Sequence, residues 1–479
     1  MITITISTNI DKYLQNSITF LLNEHGVIYM LDEKYLKYYD REAISKIWTL
    51  AWPVMVGQLL HTMMVIADMW FIAKLGSVEA AAAGTGTSLI GVIHVFPALV
   101  ASGAIALVAR FTGAEDEKNI KAITVNGIFL SIIAGLITMV LSFIFVDQLL
   151  WIFGDADKTL LGLAKEYITV ALIGVPFFFY NATTRAVVQA TGDTKNPVKV
   201  FVFANIVNIL LDYFFIMVLG KGIGGAAAAT VIAEISAFTL MSILVFRNIY
   251  KGQIKSLVNS LSINLGMAIR ILKIGIFAVL QMITRPFTGL IMFRIVLAQG
   301  VAAGAAFGIG GRMFNFVFIF LAGLGTAMSV MVGQSLGKKD YAAVDQLIKQ
   351  GKALATFNML IFAIPFYIFP KLLIGAFVQD AEVIQIGAEY LRITYTGVLF
   401  VVFPVTYGSA FAGAGDTFPP MLASILGNWG IKIPLAYILT HFFSFSATGV
   451  WWAIALSVVM EAIVLTIWFY KGKWKEKKI

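Results

Sequence analysis

The 479-residue sequence predicts an all-α polytopic membrane protein, with twelve transmembrane helices in two six-helix bundles. Three observations predict it. First, 59% of the residues are hydrophobic and only 13% charged, where soluble domains run nearer a quarter charged, and the mean hydropathy is +0.87. Second, after residue 46 the chain resolves into twelve apolar stretches, most of them near or above the ~20 residues that cross a bilayer. Third, glycine and turn motifs recur between the halves at a nearly constant offset.

Residues 1–46 lack the basic, apolar, cleavable pattern of a signal peptide and read as a cytoplasmic leader, or as an upstream extension with Met30 as the true start. The first bundle, 47–246, contains apolar stretches at 47–73, 78–109, 122–146, 166–187, 199–219 and 225–246. A polar, basic linker follows at 247–273. The second bundle, 274–470, contains stretches at 274–297, 302–333, 353–373, 390–412, 420–441 and 448–470, and a basic tail closes the chain at 471–479. Prolines 53, 97, 176, 286, 365, 404 and 434 fall inside these stretches, where each removes a backbone donor and can kink its helix. Pro53 is the hinge candidate because it shares a helix with Asp68.

The distribution of charge sets the orientation. The leader, every second connection and the tail hold 25 Lys and Arg residues, against five in the alternate connections. By the positive-inside rule both termini are cytoplasmic, in the cell membrane. The net charge of +9 therefore belongs to membrane topology, and the expected partners are the lipid bilayer and small organic molecules rather than nucleic acid. A monomer is expected. With no cysteine there are no disulfides and no thiolate sites. No Walker loop, nucleophile elbow or HExxH motif occurs, so the chain is not read as an enzyme or an ATP-driven pump. No cofactor is expected beyond a coupling ion.

The halves echo each other. Gly76, Gly84, Gly86 and Gly113 stand 224 residues before Gly300, Gly308, Gly310 and Gly337. The turn from Gln189 to Pro197 matches that from Ala412 to Pro420 at an offset of 223, which also pairs Asn205 with Asn428. A duplicated unit with an even number of spans enters twice from the same side. This predicts parallel repeats about a pseudo-two-fold along the membrane normal, with a cavity between them.

Polar residues inside the spans mark the site, since a charge at mid-membrane costs at least ~2.5–3.5 kcal/mol. In FVFANIVNILLDYFFIMVL (201–219), Asn205, Asn208 and Asp212 share one helical face. Asp68 near the outer end of span 1 and Thr230 near the outer end of span 6 fall at a similar depth. Asp68, Asn208, Asp212 and Thr230 form an all-oxygen set that suits a hard cation such as Na⁺. The two carboxylates equally suit a proton, because desolvation and like charge both oppose their double ionisation. The second half lacks the set: Met292, Ile431 and Leu435 stand at the equivalents of Asp68, Asn208 and Asp212. Gln58, Asn181, Asn205 and Gln281 are further polar residues that can face a substrate cavity. Lys432 in span 11 needs a partner, and Glu461 is the candidate.

Taken together, Pro53 and Asp68 in span 1, the Gly-Asp-Thr turns at 192–197 and 415–420, and Asn208-Ile-Leu-Leu-Asp212 resemble the multidrug and toxic compound extrusion (MATE) transporters over residues 45–472, in particular their prokaryotic, DinF-like branch. The resemblance implies two six-helix bundles around a V-shaped cavity. It also implies export of organic, often cationic, compounds in exchange for Na⁺ or H⁺, with Asp68, Asn208, Asp212 and Thr230 as the coupling residues. Met64 departs from the polar aromatic residue the family often has one turn before Asp68. The alternative is a related flippase for lipid-linked oligosaccharide or cell-wall precursors, for which Arg285, Arg294, Arg312 and Lys432 would supply positive charge.

Overall fold

The computed structural model describes residues 40–151, 157–443 and 445–477, and the backbone of three short strands in the leader, Thr3–Thr5, Ile18–Leu22 and Ile28–Asp32. The strands pair antiparallel in sequence order. Most of the leader lies outside the described residues.

Ten helices are long and apolar enough to cross a membrane, and two bent helix pairs bring the number of spans to twelve. In the first half these are Arg41–Ala73, the pair Ser77–Ile93 and Ala98–Gly113, Glu117–Ile144, the pair Lys158–Leu172 and Val175–Ala190, Lys195–Val218, and Gly222–Asn248. The second half has Leu265–Leu297, Val301–Gly337, Tyr341–Ile368, Ala381–Gly413, Phe418–His441 and Ser446–Tyr470. Several helices outrun the apolar stretches seen in the sequence. Span 7 begins at Leu265, inside the segment read as linker, and the linker itself carries the short helix Ile254–Ser260.

The prolines divide by what surrounds them. Pro97 and Pro176 lie at the breaks of the two bent pairs, at 44° and 49°. Pro404 lies just after a 3₁₀ turn at Leu399–Val401, and Pro434 just after a π-helical segment at Leu426–Lys432. Pro53, Pro286 and Pro365 remain inside unbroken helices. A missing donor is tolerated in a span when neighbouring turns re-satisfy the freed carbonyl.

The side-chain pattern inverts that of a soluble bundle. On span 3, Gly127, Ser131, Gly135 and Ser142 are buried, while Ile133, Ile137, Val140 and Ile144 are exposed. Small residues let helices approach closely where lipid supplies no hydrophobic drive for them to associate. On span 1, exposed Trp48 and Trp70 are separated by about 33 Å along the axis at ~1.5 Å per residue. That matches the ~30 Å hydrocarbon thickness and places tryptophans at both interfaces. Lys74 sits over the Trp70 ring at 3.4 Å.

The halves pack as a two-fold would require. Span 1 lies against span 8 and span 7 against span 2, while spans 2 and 8 meet each other. Glycines set the approach. A Cβ on Gly113 would stand 1.9 Å from the Gln334 carbonyl oxygen, and one on Gly337 would stand 2.0 Å from that of Arg110. Gly113 and Gly337 are repeat partners, and so are Arg110 and Gln334, so one contact occurs twice about the axis. Gly103 against Ile271 and Gly275 against Leu99 add two further backbone approaches. All of these lie toward the face where spans 1 and 7 begin. The Arg110 guanidinium donates to the Lys477 carbonyl at 2.9 Å, and the Gln334 amide donates to the Ala190 carbonyl at 2.8 Å, on the same face. In this conformation the two halves close there.

Aspartate caps open spans in both repeats. Asp116 and Asp340 accept from the backbone three residues on, and Asp157 and Asp380 cap spans 4 and 10. The exposed Asp157 carboxylate accepts the Thr159 N–H at 2.6 Å, which holds its carboxyl below the usual aspartate range. A depressed folded-state value gives stability that is present above the unfolded value and lost as pH falls through the folded one. Asp157→Ala is therefore expected to lower the melting temperature by a small amount at neutral pH. Once pH has fallen below the depressed folded-state value the difference should vanish, and tryptophan-fluorescence melts across pH will show whether it does.

Candidate cation-coupling site

Span 5 presents two faces of opposite character. Asn205, Asn208 and Asp212 are 6%, 0% and 0% exposed, whereas Phe203, Ile206 and Leu210 are 48%, 52% and 62% exposed. The polar stripe expected from the sequence therefore turns into the first bundle. The α-helix ends at Asp212 and continues as a π-helical segment, Tyr213–Val218. Such widened turns occur often at functional positions. The sequence gives no sign of it.

Three spans converge on Asp212. The Thr230 hydroxyl donates to Asp68 Oδ2 at 3.3 Å and lies 3.2 Å from its own helix's Ala226 carbonyl, while the Asn208 amide approaches Thr230 Oγ1 at 3.5 Å. The Asp68 and Asp212 carboxyl groups are electrostatic neighbours. All four sequence-predicted coupling residues are thus brought together. Asp68 Oδ1, Asn208 Oδ1 and both carboxylate oxygens of Asp212 are buried with no hydrogen-bond donor.

Buried acceptors without donors are uncommon and costly. Four around one point constitute a site that a positive charge would complete. The donor set is all oxygen, as a hard cation requires, and among the described residues no group of three or more His, Cys, Asp or Glu forms a transition-metal cluster. The residues fit Na⁺, and they fit a proton shared by two carboxylates equally well.

Tyr167, on span 4, was missed by sequence reasoning. It lies within electrostatic reach of both carboxylates and packs against Gly86. A signal was present: Gly310 packs against Tyr390 in the same way, and the two pairs are repeat equivalents.

The residues expected to face substrate separate. Gln281 lines a cavity of about 710 Å³ in the second half. Gln58 lines a smaller one of about 110 Å³ with Arg185, Gln189 and Thr326. Asn181 is buried, with its amide donating to the Glu234 carbonyl at 2.9 Å and to its carboxylate at 2.7 Å, and Asn205 donates back to the Phe201 carbonyl at 2.8 Å. Both amide groups are engaged in packing. Pro53 lies in the stretch of span 1, Ala51 to Met55, that Gly323 of span 8 approaches. The expected Lys432–Glu461 ion pair does not form; Lys432 Nζ donates to Asn428 Oδ1 at 2.6 Å, one helical turn away.

A family model described as MatE matches residues 53–214 and again 278–438, which reproduces the repeat offset. The chain is 26% identical over 463 residues to the probable multidrug resistance protein NorM of Thermotoga maritima, covering 94% of this chain and 97% of that one. It is 24% identical over 452 residues to the multidrug export protein MepA of Staphylococcus aureus, covering 92% and 96%. Among solved structures, an outward-facing MATE transporter of the MOP superfamily superposes with a TM-score of 0.83 at 21% identity, over 92% of this chain and 98% of that one. A MATE structure in a bent conformation gives 0.84 at 21% identity, over the same shares. With both repeats matched and the twelve-span frame in common, the chain belongs to the MatE family, the multidrug and toxic compound extrusion transporters.

Proposed function

We propose that this protein is a secondary active multidrug efflux antiporter of the DinF-like branch. It exports organic, often cationic, compounds across the cell membrane in exchange for Na⁺ or H⁺. Asp68, Asn208, Asp212 and Thr230 take up the coupling ion in the first bundle, and no other cofactor takes part. The observation that carries this reading is the set of four buried acceptor oxygens without donors, contributed by Asp68 of span 1 and by Asn208 and Asp212 of span 5, with Thr230 of span 6 beside them. The relatives named for multidrug resistance and export support the substrate class.

The excess of basic residues on alternate connections supports cytoplasmic termini. On that assignment the halves touch at the cytoplasmic face, and the conformation described opens outward. Asp68 and Asp212 then lie toward the open side, where ion uptake neutralises two facing carboxylates. Gln281 and Gln58 remain candidates for substrate contact, whereas Asn181 and Asn205 serve helix packing. Pro53 acts as a hinge at the contact with span 8. The protein works as a monomer and binds no nucleic acid. The precursor-flippase alternative gains no support from the relatives named above.

Transport of a cationic dye such as ethidium in proteoliposomes tests the reading, with a Na⁺ gradient and a pH gradient imposed separately. One of the two gradients is expected to drive dye movement, and collapsing it with an ionophore should stop transport. Pro53→Ala is expected to slow transport with little change in dye affinity. A transport rate indifferent to both gradients would refute coupling, and a wild-type rate in the proline variant would remove the hinge.

A further inference from the structure

The second bundle has no counterpart of the Asp68–Asp212 pair, yet it contains the large cavity. Its volume of about 710 Å³ falls within the ~300–1,000 Å³ of small-molecule sites. Phe307, Phe314 and Tyr390 contribute aromatic walls, and Ser329, Thr394 and Ser409 are among its hydroxyl groups. Its charged lining consists of Arg285, Lys432 and Glu461, two cations against one carboxylate.

The polarity is reversed between the repeats on the same scaffold. Lys432 stands at the equivalent of Ile209, and Arg285 at that of His61, while Met292 and Leu435 replace the two aspartates. Lys432 is held by a neutral acceptor, Asn428 Oδ1. Among the described residues no ion pair within 4.0 Å engages Lys432 or Arg285. Two cations that share one cavity carboxylate and form no contact pair with it leave an excess of positive charge, which an anionic guest would complete through charge-assisted hydrogen bonds. Lys432 also closes the π-helical segment Leu426–Lys432, the second such segment in the chain and the one in the span equivalent to span 5.

We propose that the cavity of the second bundle binds organic anions, an acidic head held by Lys432 and Arg285 and an apolar or aromatic body against Phe307, Phe314 and Tyr390. The protein then has an acidic site for the ion in one half and a basic site for an acid-headed guest in the other. This goes beyond the exporter reading, and binding does not depend on it. If that reading failed, gradient-driven dye transport would be missing while acid binding remained.

The test is isothermal titration calorimetry on the full chain in phosphatidylcholine nanodiscs, comparing 2-naphthoate with its neutral isostere 2-naphthamide. The acid is expected to bind at least about tenfold tighter, the value of one charge-assisted hydrogen bond. Lys432→Met and Arg285→Gln should each erase most of that preference. Lys432→Arg should keep it, and so should Asp212→Asn in the other half. Equal binding of acid and amide by the wild type would overturn the proposal whether or not any variant folds. Loss of the preference in Lys432→Arg would do so too, provided its melting temperature is that of the wild type. An acidic head can come from a soluble acid or from a lipid phosphate, and repeating the titration with phosphatidylglycerol in the nanodisc separates them. Weakened naphthoate binding would assign the site to a lipid head group, and unchanged binding to a soluble acid; both outcomes require the anion site.

Discussion

Asp212→Asn is expected to reduce gradient-driven export by at least about thirtyfold while making the ion-free protein more stable to heat. The two effects share one cause. A carboxylate ~4 Å from a bound cation contributes about 4 kcal/mol at an effective dielectric constant of ~20, and half of that already corresponds to roughly thirtyfold in affinity. Without the ion, the same carboxylate faces Asp68, and both its oxygens lack donors. Replacing it by an amide removes like-charge repulsion and supplies donors to the orphaned acceptors. A site that gains stability when its charge is removed is one kept for function rather than for folding.

The experiment pairs dye transport in proteoliposomes with thermal melts in detergent. Adding the coupling ion should raise the melting temperature of the wild type, by mass action on the folded state, and leave Asp212→Asn unmoved. Asp68→Asn should behave alike, and the double variant should be no worse than either single one, because the two residues act on one ion. An Asp212→Asn protein that exports at the wild-type rate, or that still gains stability from the ion, would return the polar stripe to a role in helix packing.

The parts of this molecule that could be read from sequence were those with a period or a charge sign. Apolar runs gave the spans, because a bilayer demands a fixed length of helix. The stripe at 205, 208 and 212 was legible because 3.6-residue periodicity places it on one face, and Asp68 and Thr230 because topology fixed their depth. What stayed hidden depended on contacts between spans. Asn181 reads in the sequence as a polar residue that can face substrate, and no periodicity shows the contact its amide makes with Glu234 of span 6. Lys432 looked like half of an ion pair, but its ammonium donates to Asn428, four residues before it, while Glu461 lines the same cavity without forming a contact pair. Neither π-helical segment carries a compositional mark, and the segment at 213–218 reads as plain apolar helix. The aspartate caps at 116, 157, 340 and 380 lie between the apolar stretches, where hydropathy carries no signal.

The repeat also reveals a seam that can be wedged open. A side chain on Gly337 has to displace the Arg110 carbonyl, and one on Gly113 the Gln334 carbonyl; backbone cannot rotate aside as a flexible side chain would. Overpacking of this kind costs about 1–3 kcal/mol per site, and because the contact lies between halves the strain falls on the closed conformation, not on either bundle. Gly337→Leu should therefore shift the population toward the state open at the terminal face by about tenfold. With the two strains adding, the double variant with Gly113→Leu should shift it by about a hundredfold, or ~2.7 kcal/mol. The chain has no cysteine, so spin labels can be placed without background at Ser77→Cys and Val301→Cys, repeat partners at the opposite face. Double electron–electron resonance is expected to give a long distance in the parent protein and a shorter one in Gly337→Leu. By symmetry Gly113→Leu should match it, and Gly84→Leu, where a Cβ meets nothing within 4 Å, should leave the distribution unchanged. An unaltered distance in the Gly337 and Gly113 variants would mean that the two halves do not pivot about this contact. A response to only one of the two would mean that the seam is not the symmetric closure that the repeat predicts.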